Sequence, residues 1–388
     1  MYTIQKMNFF FNIFIKILFL IFIHHSLYSA DVNFHAWGGS VIINDFIKQA
    51  SKDLKKKNII LNHTKITDIA ESIKILETDK KINNLQKGSI DLMWVNGENF
   101  HRLKKNQLLF GPIDTIDNYK FINTEDQSMH NDFGEPVEGL EVPWGRAQFV
   151  LIYDSKLIQK PPQTIEQLRK FIKNNPGRFT YPQIPDFHGT TFLKQLLYEI
   201  VDDQSILQKP FSNCLNPCEP LKNLMIYLND IHPFLWNQGK RFPKSAAETV
   251  PLLSNRELWL TISFNPNMAA VNVSSGNLRE VTRTTSFIGG AIGNTHYLAI
   301  PFNSPNKKAS LEVINYLISP QSQADKSNIE IWGDPTVLDF TKMNEIQKKM
   351  FLDKQSVHIL PNYQIPYLEE PHYSWTEAIE NEWFKTFN

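Results

Sequence analysis

Apolar and polar positions along the chain fall into a repeating alternation of short β-branched or aromatic runs and longer stretches with helical spacing. The first run is Val32-Asn33-Phe34-His35-Ala36, followed by a helical pattern over 41–57 and a second strand over 59–63. A helix over 68–86, ended by Gly88, and a strand over 90–95 complete the series. Strand, helix, strand, helix, strand predicts βαβ units and a mainly parallel sheet. Near the middle, 142–182 reads as one long strand, a Pro161-Pro162 turn, a helix and a short strand at 178–181. The strand rests on the run Gln148-Phe149-Val150-Leu151-Ile152-Tyr153, and Thr164 with Gln167 three residues later has capping-box spacing. A second α/β set follows, with helices over 190–201 and 221–231, a helix starting at Ser245 and a strand over 258–263. The chain then returns along a strand at 289–301 and a helix over 306–318. The expected architecture is α/β with two lobes joined by hinge strands, a topology that bends rather than swivels freely.

In open α/β sheets, ligands gather at the carboxyl ends of strands, where loops and helix N-termini present unpaired N–H groups. Trp37-Gly38-Gly39-Ser40 and Asn96-Gly97-Glu98-Asn99 both stand in that position. Each also reads as a turn with a helix cap, so the pattern leaves both readings open. The span from about 111 to 140 is rich in Gly and Pro and reads as a surface excursion leading into the central strand.

Length and composition set the class. With 388 residues the chain exceeds one ordinary core and suits two lobes. Lys+Arg and Asp+Glu are each 40, so no basic field is available to hold nucleic acid. The apolar run from Phe9 to Ile23, with Lys6 ahead of it and Ser29-Ala30 behind, has the pattern of a signal peptide. Cleavage is placed after Ala30, an uncleaved anchor being the alternative; no Cys follows the run to suggest a lipoprotein. Cys214 and Cys218 are the only cysteines, and in an exported chain such a pair is most economically a disulfide.

No phosphate loop, zinc-protease motif, nucleophile elbow or paired CxxC is present. No catalytic residue, metal site or cofactor is therefore expected. His188, just before a helix, is the histidine singled out for its position, with Thr190 as the expected helix cap. The rival reading is an exported transferase or hydrolase with Cys214 or Cys218 as nucleophile.

Several segments carry a family likeness: GSIDLMWVNGENF (88–100), VPWGRAQFVLIYD with KPPQTIEQLRKFIKNNPGRFTYP, DFHGTTF (186–192), the run 294–328 ending ISPQSQADKSN, and IWGDPTVLD (331–339). On these the chain resembles periplasmic solute-binding proteins of ABC importers, most closely the YnjB-type group. The resemblance implies a two-lobed type II periplasmic-binding-protein-like fold. A leader at 1–30 would precede a first lobe from 31–141, a second lobe from 142–290, a return to the first over 291–332, and a helical segment 333–388 packing on the second lobe and hinge. It also implies a monomeric, non-enzymatic periplasmic receptor that traps a small solute between its lobes and delivers it to a membrane permease with its ATPase. A receptor serving signalling is the variant of this reading. The candidate contacts are Trp37, Gly38, Gly39, Ser40, Asn96, Glu98, Asn99, Trp144, Arg146, His188, Thr190, Asn265 and Asn294. Trp37, Trp144 and Glu98 suit a cationic or heteroaromatic solute, such as a polyamine or a thiamine-like compound, whereas the Arg146 fork suits a carboxylate or phosphate.

Overall fold

The computed structural model describes residues 29–38, 41–95, 97–215, 217–352, 358 and 366–387. Nearly all of the expected leader lies outside the described residues, as do Gly39, Ser40 and Asn96. Among the described residues no helix is long and apolar enough to cross a membrane.

The strands in chain order are β1 (Ala30–Trp37), β2 (Ile59–Ile66), β3 (Leu92–Val95), β4 (Leu109–Phe110), β5 (Asn131–Asp132), β6 (Glu135–Pro136), β7 (Glu141–Gln148), β8 (Val150–Asp154), β9 (Leu260–Ser263), β10 (Thr282–Thr285), β11 (Ala291–Pro301) and β12 (Tyr367–Leu368). The larger sheet runs β12-β11-β3-β1-β2, with β4 and β7 also paired to β11. β1 is parallel to β2 and β3, as the βαβ pattern requires, while β11 returns antiparallel to β3 and β7. A second, three-stranded sheet runs β10-β8-β9.

Each sheet has its own core. Val32, Phe34, Phe46, Leu92, Trp144, Leu298 and Trp332 belong to the first. Val150, Leu151, Phe192, Leu196, Leu260 and Ile262 belong to the second. The C-terminal segment divides between them. Val337, Leu338 and Met343 lie in the first core, and the helix Ser374–Phe387 buries Trp375, Ile379 and Trp383 in the second.

The long central strand expected over 142–153 is two strands. β7 ends at Gln148, the Phe149 N–H bonds across to the Ile292 carbonyl at 2.8 Å, and β8 continues in the other sheet. The hydrophobic run is continuous because both strands are buried, so the pattern carries no mark of the change of sheet. β11 makes the opposite crossing: Ala291 and Ile292 pack in the second core and Leu298 and Ile300 in the first. These two crossings join the lobes.

The helix after the crossing is capped as its sequence predicts. Thr164 Oγ1 accepts from the Gln167 N–H at 3.2 Å, and Gln167 Oε1 accepts from the Gln163 N–H at 2.9 Å. Three expectations change. The segment 178–181 is not in a sheet, although Phe179 and Tyr181 are buried in the second core. The helix expected over 68–86 ends at Lys81, where Asn83 takes a positive φ of 56°. The excursion 111–140 is no surface loop, since Ile113, Ile122, Met129, Asp132 and Val137 are all buried.

Candidate functional site

The lobes meet where the segment before β7 faces the helix Phe187–Ile200 and the residues after β12. From the first lobe, Phe133 lies 5.4 Å from the Lys194 ammonium of that helix, and His101 stacks on Tyr373 with ring centroids 5.5 Å apart. Between these contacts is a cavity of about 10 Å³, room for a single water-sized group. Ser128, Asn131, Asp132, Phe133 and Gly134 wall it from the first lobe, Gly293, Asn294 and Thr295 from β11, and Tyr367, Glu369 and Glu370 from the second.

The chain builds this wall by backbone anchoring. The Tyr297 hydroxyl, on the hinge strand β11, donates to the Ser128 and Asn131 carbonyls at 2.7 and 3.2 Å. Asp132 Oδ1 accepts from the Gly97 N–H at 2.9 Å, linking the cavity to the turn that follows β3. Gly97 is required there: its φ is +62°, and a Cβ would stand 2.8 Å from the Phe133 ring. Across the gap, Tyr367 donates to the Gly293 carbonyl at 3.0 Å, and Lys194 donates to Glu370 at 3.2 Å with both side chains buried.

The electrostatics are lopsided. Asp132 is 2% exposed, and its Oδ2 has no hydrogen-bond partner among the described residues. Behind it Glu141 is wholly buried, and neither carboxylate oxygen has a hydrogen-bond partner among the described residues. Burial pushes Asp132 well above the usual carboxylate range; the Gly97 N–H opposes the rise and the Glu370 charge adds to it. Glu141 is raised for the same first reason, then by Asp132, with Lys104 pulling it down. The Asn294 amide nitrogen, on a residue 5% exposed, also lacks a partner among the described residues.

Of the residues the sequence singled out, Asn294 lines the cavity, and Gly97, between the candidates Asn96 and Glu98 in sequence, reaches it through its N–H bond to Asp132. Arg146 stands beside it, 5.9 Å from the Tyr367 ring, but its charge is held by Asp126 at 2.8 Å. Its case for an anionic solute is thereby weakened. Asn99 is half-buried in the first turn of the helix Glu98–Lys105.

The others lie apart. Trp144 is a correction: it is 0% exposed and packs edge-on against Trp94 and Trp332 at 4.9 and 5.4 Å, because the β7 alternation turns it into the first core. Thr190 is neither cap nor cleft contact. Asp186 caps that helix, and the Thr190 hydroxyl donates to Glu380 at 2.7 Å. His188 lies near Asp186, and Asn265 is engaged in its own turn, bonding Ser263 and Asn267. Trp37 is 48% exposed at the end of β1; Gly38 there serves packing, since a Cβ would meet the Lys65 side chain.

Reasoning from sequence missed Asp132, Glu141, Lys194, Tyr367 and Glu370. The only local signal was the turn Asp132-Phe133-Gly134 inside a segment read as surface.

Behind the hinge, Gly145 passes so close to His296 and Asp334 that a Cβ would collide with both. Asp334 bonds His296 at 3.0 Å and also the Lys326 ammonium. Burial alone would raise Asp334, but His296 and Lys326 hold it below the usual carboxylate range. Among the described residues no group of side chains has a metal-binding arrangement, and Cys214 and Cys218 are joined as a disulfide.

Two α/β lobes, two crossing strands and a polar cavity walled from both lobes define a solute-binding protein of the type II periplasmic-binding-protein class. The chain belongs to the bacterial extracellular solute-binding protein family, whose model matches residues 56–349. It is 37% identical over 361 residues to the protein YnjB of Escherichia coli (strain K12), covering 91% of this chain and 90% of that one. Its fold is similar to the spermidine/putrescine ABC transporter substrate-binding protein PotD of Streptococcus pneumoniae, with TM-score 0.64, 12% identity, and 92% and 98% of the two chains covered. An ABC transporter substrate-binding protein of Bradyrhizobium japonicum matches with TM-score 0.60, 16% identity, and 92% and 100% covered.

Proposed function

We propose that the chain is the solute-binding subunit of an ABC importer. It is exported to the periplasm, acts as a monomer, and hands its solute to a membrane permease driven by an ATPase. The observation that carries this reading is the cavity itself, walled by Asp132 from one lobe, Glu370 from the other and Asn294 from the strand that crosses between them. A group seated there contacts both lobes only when they are shut, so binding favours the closed state. The family and the ABC transporter names of the structural neighbours support the partners. The rival enzyme reading needs a free thiol at Cys214 or Cys218, and the disulfide ties up both sulfurs.

The test is small-angle scattering and thermal unfolding of the mature protein with a solute library. A binding solute should compact the particle. At 100 times its Kd it should also add about 2.7 kcal/mol of stability. A library that yields neither compaction nor stabilisation, with no solute carried through purification, would overturn the proposal.

A further inference from the structure

We infer that the junctional cavity seats the ammonium group of a cationic solute, with Asp132 as its counter-charge and Glu141 behind it. This rests on the receptor reading above and names the chemistry of its solute. Three carboxyls, Asp132, Glu141 and Glu370, gather at the lobe junction against one nearby buried ammonium, that of Lys194. Lys194 is already engaged, bonded to Glu370 and set over the Phe133 ring. Lys104 bears on Glu141 from the surface, where it also contacts Glu135 and Glu138. Arg146, beside the cavity, is held by Asp126, so among the described residues no cation is committed to Asp132, whose unbonded Oδ2 belongs to a residue in the cavity wall. A buried carboxylate without a partner is costly, so it holds a proton or takes up a cation.

Asn294 adds a second unbonded polar group to the same space. Its amide lines the same space with an unbonded N–H₂, which can donate to an oxygen elsewhere on the solute. Size narrows the class further. A space with room for one water-sized group takes a primary ammonium without moving its walls, whereas a quaternary ammonium, a ring or a phosphate would have to part them. The rest of the solute would lie outside this seat.

The test uses the mature protein at pH 8, with calorimetry on 1,4-diaminobutane, spermidine, ethanolamine, choline, glucose, succinate and phosphate. Native mass spectrometry of protein purified from periplasm accompanies it, to identify any carried solute. Binding is expected from a primary amine, weakened at least tenfold in Asp132→Asn and less than twofold in Glu166→Gln, which alters an exposed carboxylate of the second lobe. Circular dichroism of Asp132→Asn should match the parent. Choline should fail. A neutral or anionic solute that binds with unchanged affinity in Asp132→Asn would overturn the charge assignment and leave the receptor reading standing. Absence of any binding or carried solute would remove both.

Discussion

Replacing Asp132 with Asn should make the protein without solute more stable while weakening its binding. Asn keeps an oxygen to accept from the Gly97 N–H, so the 2.9 Å anchor survives and only the charge is lost. In the folded protein burial raises Asp132 and Glu141, so the native state keeps protons that the unfolded chain releases above about pH 4. Below that point both states are protonated and the carboxyls cost nothing. As pH rises toward the folded values, the parent loses stability. The variant avoids one share of that loss and relieves Glu141 of a neighbouring charge. Asn leaves a neutral N–H₂ unbonded in place of Oδ2, so the variant escapes only the excess cost of burying a charge over a neutral polar group, about 1–3 kcal/mol. Asp132→Asn should therefore gain roughly that much at pH 8, or about 1–4 °C in Tm for a chain of this size. The assay is thermal unfolding of parent and variant from pH 4 to pH 8. A variant less stable than the parent at pH 8, or a gap of the same size at pH 4, would refute the reasoning.

Lys194→Met removes the buried ammonium bonded to Glu370 and should cost about 3 kcal/mol or more in urea unfolding; adding Glu370→Gln should restore most of it, and a double variant no better than the single would count against the pairing. Trp144→Phe should lower stability by about 1–3 kcal/mol through lost core packing and leave solute affinity within twofold, whereas a large change in Kd would return Trp144 to the cleft. Cys214→Ser should cost about 2 kcal/mol by opening so short a loop, with no effect on binding or compaction; native protein that titrates free thiol would contradict the disulfide.

What the sequence disclosed follows from the range over which each signal acts. The βαβ succession, the Thr164 capping box and the return strand at 291–301 are periodic or local features, and they stand in the structure within a few residues of their expected bounds. The change of sheet at Phe149 has no such signal, because a residue buried on either side of a crossing is apolar in both lobes. Trp144 misled for a related reason: a tryptophan beside a glycine and an arginine looks like a cleft residue until β7 pairs with β11 and fixes which face is inward. The cavity wall was least legible of all. It joins residues 128–134, 293–295 and 367–370, and nothing in those stretches taken singly separates a buried Asp132 from a solvated turn.

The charge at the lobe junction also bears on how a receptor of this kind would report occupancy. Closure must be disfavoured without solute and favoured with it, and shifting the balance from 1:99 to 99:1 needs about 5.5 kcal/mol of differential binding. The direct contacts between lobes on either side of the cavity are modest: the Phe133–Lys194 approach and the His101–Tyr373 stack are each of a kind worth about 0.5–2 kcal/mol. Closure also brings Asp132 within electrostatic reach of Glu370, which works against it. A cation at Asp132 offsets that interaction, which Lys194 already moderates through its bond to Glu370. Hydrogen bonds to charged groups contribute about 1.5–3 kcal/mol each, so a bond to Asp132 with one or two more from the opposite wall spans the required range. A neutral solute of the same size would leave the repulsion in place and would have to find that energy elsewhere.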